Sequence, residues 1–444
     1  MPIDTPLYEE IALVIGDSTK PYFGTVLDTW ESYQYEKDLF TPSDTFSFRL
    51  AIAGKTGPSA PTEAYIQQMM AVTQPDTVVR VLAGRDPLMT GIIGRRQIKG
   101  DRGHEYVEVS GRDPASLLTD NEVDPKLVIN HDTTLPDLAN QILAKYRGRG
   151  LLLRVFSDNA SNRSIITGTS RKPQVSPEYV DTGAGRIRVN YDPATAQAKL
   201  ADQNLGVSLA KAPAGPPAFF ERMTIADARP HPGETEWDFL DRHAKNLGVI
   251  PAMSAEGDLI FLKPDYNQQV LYTIRRRINQ ALSASNNILG GGQDLNYENT
   301  ATSMHILGRG SLYRSQSSAP KRRTHKKKPK IQSTAVSKMP SIWPRERYIR
   351  DASPKSVADA LRVANRELAQ RNSNAEVYTY DVPGHGVNGV RWGYDTLIQV
   401  VDDLLRPTLN KVCYITKYAV SGTLGKQAAI RTSLTMVPKG AIIL

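Results

Sequence analysis

The chain has 444 residues, 40% hydrophobic and 23% charged, a globular composition long enough for two to four domains with apolar cores. No run approaches the roughly 18 apolar residues of a membrane helix, and the start MPIDTPLYEE lacks the basic and apolar regions of a secretory signal. The single cysteine, Cys413, excludes an internal disulfide framework and any cysteine-built metal site, so cytosolic assembly without stable membrane insertion is the expectation.

The net charge of +9 suggests a polyanion partner until its location is considered. Lys321, Arg322, Arg323, Lys326, Lys327, Lys328 and Lys330, in KRRTHKKKPK, hold seven of the 55 basic residues, which leaves 48 against 46 acids, or about +2, elsewhere. Like charges in a block repel and cannot pack, so the tract reads as a solvated insertion between two elements; contact with an acidic partner or with nucleic-acid phosphate is the functional alternative.

In chain order, residues 9–16 and 23–37 read as a strand pair joined by DSTKPY. From Thr45 to Ala53, Phe46, Phe48, Leu50 and Ile52 alternate with Thr45, Ser47, Arg49 and Ala51, the period of a half-buried strand. Thr62 to Val72 predicts a short helix capped by Thr62, with Ile66, Met69 and Met70 on one face. Val78 to Arg112 then reads as three strands cut by GRDP and KGDRG. At Gly111-Arg112-Asp113-Pro114 the period changes: Asp113 can cap a helix with Pro114 in its first position, so a first β-barrel is expected over 1–113.

A middle α/β region is expected over 114–286. Thr134 to Tyr146 carries Leu135, Leu138, Ala139, Ile142 and Leu143 at helical spacing, and residues 151–156 and 185–191 are strand candidates. Residues 192–217 turn Ala-rich and then Pro-rich and read as a surface excursion or linker. In 233–264, Thr235 caps a helix with Trp237, Leu240, Ala244 and Leu247 on one face; Gly248 stops it, and a hairpin follows around Ala255-Glu256-Gly257.

The last expected unit, 287–444, contains the basic insertion at 315–340. Ser353-Pro354 opens a helix with Val357, Ala360, Leu361, Ala364 and Leu368 along one stripe and Arg362, Arg366, Glu367 and Arg371 off it. Strands are expected at 376–382, 396–402, 411–421 and 428–437, the last with Ile430, Leu434 and Met436 facing a core. Strands from about residues 287–312, where 301–308 has strand character, are expected to join this last unit, with the basic insertion as a loop within it.

Catalytic and cofactor patterns do not assemble. Gly54-Lys55-Thr56 lacks the first glycine of a phosphate loop, and Gly384-His385-Gly386-Val387-Asn388-Gly389 is followed by strands rather than by a helix that could receive a pyrophosphate. The seven histidines are scattered, His131-Asp132 and Asp402-Asp403 read as a turn and a strand end, and the four tryptophans read as core anchors. The expectation is a non-enzymatic protein without cofactor or metal.

Three blocks carry a resemblance. Asp44 to Phe48 with Gly91 to Ile93 and Val107 to Arg112, the helix and hairpin of 233–264, and Ala364 to Glu367, Val382 to His385, Trp392 to Asp402 and Leu434 to Pro438 are similar, in order, to segments of contractile phage tail baseplate hub proteins. This is the Mu-like and P2-like late-control family, related to the T-even hub and to the hub part of type VI secretion spike proteins. The resemblance implies an α+β, mainly β fold in which two tail-tube-like antiparallel barrels bracket the middle region. It further implies a homotrimeric ring in the virion tail baseplate, assembled in the host cytoplasm. That ring would contact the central spike, the tail tube or tube-initiator proteins and the baseplate wedges, with DNA only as passing cargo. The segment 232–264 also resembles the opening of a cell-wall-binding LysM repeat, which leaves a peptidoglycan-binding module as the alternative.

Overall fold

The computed structural model describes residues 6–8, 10–16, 25–27, 30–53, 63–84, 86–101, 104–127, 133–147, 151, 153–157, 179–181, 186–188, 229–278, 286–309, 330–336, 343–351, 354, 356–405, 407–423 and 430–442. Its first part contains β1 (Pro6–Leu7), β2 (Ile11–Ile15), β3 (Thr25–Leu27), β4 (Trp30–Asp38), β5 (Thr45–Ala53), α1 (Glu63–Val72), β6 (Val78–Ala83), β7 (Asp86–Asp101) and β8 (His104–Arg112). A middle part follows with α2 (Ala115–Asp120), α3 (Leu135–Leu143), β9 (Val155–Ser157), β10 (Tyr179–Asp181), β11 (Arg186–Arg188), α4 (Glu236–Leu247), β12 (Ile250–Met253) and β13 (Leu259–Leu262). The last part holds β14 (Val270–Arg276), β15 (Gly290–Leu295), β16 (Ser303–Arg309), β17 (Lys330–Val336), β18 (Glu346–Arg350), α5 (Val357–Asn372), β19 (Glu376–Pro383), β20 (Gly386–Val387), β21 (Val390–Arg391), β22 (Thr396–Asp402), β23 (Leu409–Thr423) and β24 (Arg431–Pro438).

Alternation makes the strands. On β5, Phe46, Phe48 and Leu50 are buried while Thr45, Ser47 and Arg49 point outward, and on β6 Val79, Val81 and Ala83 face the same core. Each such large side chain contributes about 1.5–3 kcal/mol by leaving water, so a one-residue slip in register would be expensive.

Among the described residues, thirteen strands form one sheet, and their order repeats. Counting six strands of the first part in chain order (β2, β4, β5, β6, β7, β8), the hydrogen-bonded path is 1-4-5-6-3-2. Counting six of the last part (β14, β15, β19, β22, β23, β24), the path is again 1-4-5-6-3-2. The two differ in one direction, since β2 runs antiparallel to β6 whereas β14 runs parallel to β22. Each path curls until its end strands are linked. The Trp30 indole on β4 donates to Ile11 O on β2 at 2.6 Å, and Arg276 on β14 donates to Gly291 O on β15 at 3.1 Å.

The units are joined through β23. Its first half pairs with β22, its second half pairs with β4, and β24 runs along its other edge. The register with β24 shifts between Ile415 and Lys417, a bulge at the point where β23 changes partner, as an extra residue bends a strand and re-aims it.

The middle part packs α2, α3 and α4 on the small sheet β12-β13-β9 around its own core, which includes Leu138, Trp237, Leu240 and Phe261. Thr235 caps α4 by accepting from Asp238 N, and Gly248 ends it at φ 66°. Asp113 accepts the Ala115 N–H at 3.1 Å, so it does the capping at α2 although Pro114 is the residue flanking the helix.

Several expectations change in the last part. Near 301–308 a strand does form, from Ser303 to Arg309, but this β16 pairs with β17 and β18 in a separate three-stranded sheet covered by α5, around Met304, Ile306, Ala360, Val363 and Leu368. The strand taken from the 287–312 stretch by the six-stranded unit is β15 instead. Lys330 to Val336, placed in the insertion from sequence, is the strand β17, which pairs with β16 outside the six-stranded unit. Helix α5 starts later than Pro354, because Ser356 and Asp359 make a reciprocal capping box there. Its buried stripe is also rotated: Val357 and Leu361 are exposed while Arg366 is buried, since α5 rests on the side sheet and on α4 together. Trp30, Trp237 and Trp392 are buried, but Trp343 is 72% exposed and is no core anchor.

Candidate functional site

Within the first block that carried the sequence resemblance, the residues converge on one place. The Phe46 ring on β5 covers Gly91 on β7 and Gly111 on β8: a Cβ on Gly91 would meet that ring at 2.5 Å, and one on Gly111 would meet it at 2.5 Å and Ile92 O at 2.0 Å. Only glycine lets a strand approach so closely. Two residues from Phe46, Asp44 accepts from Asp38 N at 2.9 Å, while its carbonyl takes the N–H of Asp113 at 3.0 Å.

Beside this packing lies a buried charged junction of all three parts. Lys37 follows Tyr33 and Tyr35 on the inward side of β4 and is 2% exposed. Its Nζ lies 3.6 Å from Asp44 Oδ2 and 3.4 Å from Met253 O on β12, with the Tyr394 ring 5.5 Å away. The Tyr394 hydroxyl donates to the same Met253 O at 2.8 Å. Asp113, 2% exposed, accepts from Ser43 Oγ at 2.8 Å and from Ala115 N. Burial raises both carboxyls above their ordinary range. Asp113 goes further, because the neighbouring Asp44 carboxylate adds repulsion while Lys37 pairs with Asp44.

On another side of the seam, the glycine-rich segment 384–389 is a clasp. Asn388 and Gly389, at φ 54° and 79°, make the tight turn between β20 and β21, while β1 pairs with β20. Gly384, at φ 73°, has no room for a Cβ against Leu7 O, 2.5 Å away. His385 is buried with Nε2 2.6 Å from the Tyr33 hydroxyl; burial and the nearby Arg391 push its pKa down to about 4, so it is neutral at pH 7. Arg391 reaches the first unit, at 2.8 Å from Asp86 and 3.0 Å from Ala83 O. The expected turn is therefore a turn, and its side chains lock the two units together.

Elsewhere the chemistry is structural. Asp402, read as a strand end, is buried and holds Arg276 at 2.6 Å and the Tyr380 hydroxyl at 2.8 Å. A cleft of about 180 Å3 between α4, α5 and β12 is lined by Trp237, Asp241, Pro251 and Arg366, with Arg366 paired to Asp241. Among the described residues no group of three or more His, Cys, Asp or Glu is placed to hold a metal ion, and no helix is long and apolar enough to cross a membrane.

Of the sequence-predicted contact residues, Lys321, Arg322, Arg323, Lys326, Lys327 and Lys328 lie outside the described residues, as do Gly54 to Thr56 and His131-Asp132. Lys330 is placed opposite Arg309 at the open end of the β16–β17 pair. Sequence reasoning missed the Lys37 junction, although a lysine in phase with two inward tyrosines was a usable signal. It had no means of pairing Arg391 with Asp86, which are 305 residues apart.

Comparison with known proteins agrees with this architecture. Residues 23–113 match the N-terminal domain of the Mu phage baseplate assembly protein GpP-like family. Over the whole length the fold is similar to that of a tail protein from Neisseria meningitidis MC58, at 16% identity and a TM-score of 0.62, covering 98% of both chains. It is equally similar to the 43 kDa tail protein of prophage MuSo2 from Shewanella oneidensis, at 16% identity and a TM-score of 0.62, covering 98% of this chain and 100% of that one. No curated protein matches the chain in sequence.

Proposed function

We propose that this chain, whose residues 23–113 carry a GpP-like Mu baseplate N-terminal domain, is a structural subunit of a phage tail baseplate, and within it the hub. The observation that carries the reading is the repeated strand order: one polypeptide presents two six-stranded units of like connectivity, fused edge to edge through β23 and β4. Three such chains in a ring would present six similar units, which reconciles a three-sided spike with a six-fold tail tube. In this reading the homotrimer holds the central spike on one face, meets the tail tube or its initiator on the other, contacts wedge proteins at its rim and lets DNA pass through its channel. The division into a first unit, a middle region and a second unit is part of the same proposal, with the boundary expected from sequence at 286/287 moved ahead of β14 (Val270–Arg276), because β14 pairs with β22 of the second unit; assembly in the host cytoplasm and the absence of a catalytic role belong to it as well.

The ring is tested by native mass measurement at micromolar chain in 0.15 M salt, then by particle images down the axis. A trimer with six peripheral lobes is expected; monomer alone, both free and with a purified spike protein, would sink the assignment. The cell-wall alternative loses its main support because the helix at 236–247 is followed by the hairpin β12–β13, where a LysM repeat would place a second helix. A murein pull-down separates the two, since a hub subunit is expected to stay in the supernatant.

A further inference from the structure

We propose that the buried Lys37–Asp44–Asp113 cluster is a proton-operated latch that fastens the middle part to both six-stranded units and loosens when Asp113 gives up its proton. One ammonium faces two carboxylates, and all three side chains are at least nine-tenths buried. Fully ionised, the cluster would hold an uncompensated negative charge away from water, a cost of several kcal/mol that a proton on one carboxyl removes. The proton belongs on Asp113: Lys37 pairs directly with Asp44, whose Oδ1 also takes the Asp38 N–H, whereas Asp113 accepts from the neutral donors Ser43 Oγ and Ala115 N and feels Lys37 as a nearby charge rather than as an ion-pair partner.

Every element around the cluster is a joint between parts. Lys37 and Asp38 belong to β4, and Ser43 and Asp44 to the β4–β5 turn of the first unit. Asp113 opens α2, and Met253 ends β12 in the middle part. From the second unit come Tyr394 and Asp395, just before β22, and Tyr414 and Tyr418 on β23; Asp395 adds a further carboxyl, which accepts from the Tyr414 hydroxyl at 2.6 Å. Lys37 and Tyr394, from different units, share one middle-part carbonyl, that of Met253. The β12–β13 turn leans on the entry of α2, since a Cβ on Gly257 would meet Pro114 at 3.3 Å and Thr90 at 3.0 Å. An extra charge at Asp113 is relieved only by water, and water enters by separating α2 and the β12–β13 hairpin from the first unit.

The sign follows from the raised carboxyl. A proton held in the folded state above the carboxyl's ordinary value stabilises at low pH, and that contribution is lost as pH rises through the folded value, about 8 for Asp113. Hydrogen exchange on the full chain at pH 6 and pH 9, corrected for intrinsic rates, reads the latch directly. Protection in 115–120 and 250–262 is expected to fall at least tenfold at pH 9, with β5 unchanged. Asp113→Asn, which keeps the cap and the Ser43 contact without a titratable group, should hold protection equal at both pH values. Asp44→Asn leaves one carboxylate for one ammonium and should also flatten the response, so the test survives if one variant does not fold. Unchanged protection in the wild type, or the wild-type pH response persisting in either variant, overturns the proposal.

Discussion

At the scale of single residues, the positions that matter are those where a side chain is absent or a charge is buried. Gly111 has Ile92 O where a Cβ would stand, so Gly111→Ala must move a backbone and displace Phe46 together. A loss of about 2–4 kcal/mol is expected in urea unfolding, against under 1 kcal/mol for the same change at exposed Gly94, where a Cβ meets nothing within 4 Å. His385 gives an acid-side prediction. Its folded pKa is depressed to about 4 by burial, while the unfolded imidazole titrates near 6.5. The unfolded state therefore binds the extra proton first as pH falls between those values, and stability should drop by about 2–3 kcal/mol over that window. His385→Asn should lose most of this pH dependence in thermal melts; an unaltered acid slope would reject the assignment.

At the scale of elements, β23 is the strand whose pairing cannot be spared. Ala419 lies opposite Ser433 on β24 and Glu36 on β4, so its backbone sits within both ladders. Ala419→Pro removes a donor in mid-sheet and should cost about 3 kcal/mol or more in urea unfolding, while proline at Gln293, on β15, should cost clearly less because among the described residues β15 has one hydrogen-bonded neighbour strand. Much of this level was readable beforehand. The period-2 runs, the Thr235 cap and the Gly248 stop are local facts, and local chemistry decides them. The partner of each strand was not readable: β16 has the same alternation as a strand of the large sheet, and only α5 lying over Met304 and Ile306 assigns it to the smaller one.

At the scale of the whole molecule, the basic tract tests whether net charge and fold are separable. Replacing 321–329 by a short Gly-Ser linker removes six basic residues and brings the formal charge from +9 to about +3. Deletion through Lys330 would also remove the first pair of the β16–β17 ladder, so the cut stops one residue earlier. The thermal midpoint should stay within about 2 °C, as expected when a block of like charges that cannot pack is replaced. Retention on a cation exchanger should fall sharply, and aggregation or unfolding of the variant would show that the tract has a structural task.

What the sequence determined by itself was composition, period and punctuation: a mainly β chain, the positions of most strands and helices, and the inward set on each strand. These are short-range, because the alternation of a strand and the cap of a helix are fixed by residues a few positions apart. The tertiary structure alone decided that both ends of the chain adopt one strand order, that β23 serves both units, and that Lys37, Asp44, Asp113, Met253 and Tyr394 meet. Those contacts join residues up to hundreds of positions apart. They are selected by the shared cost of burying charge and leaving strand edges unpaired, which no local window of sequence contains.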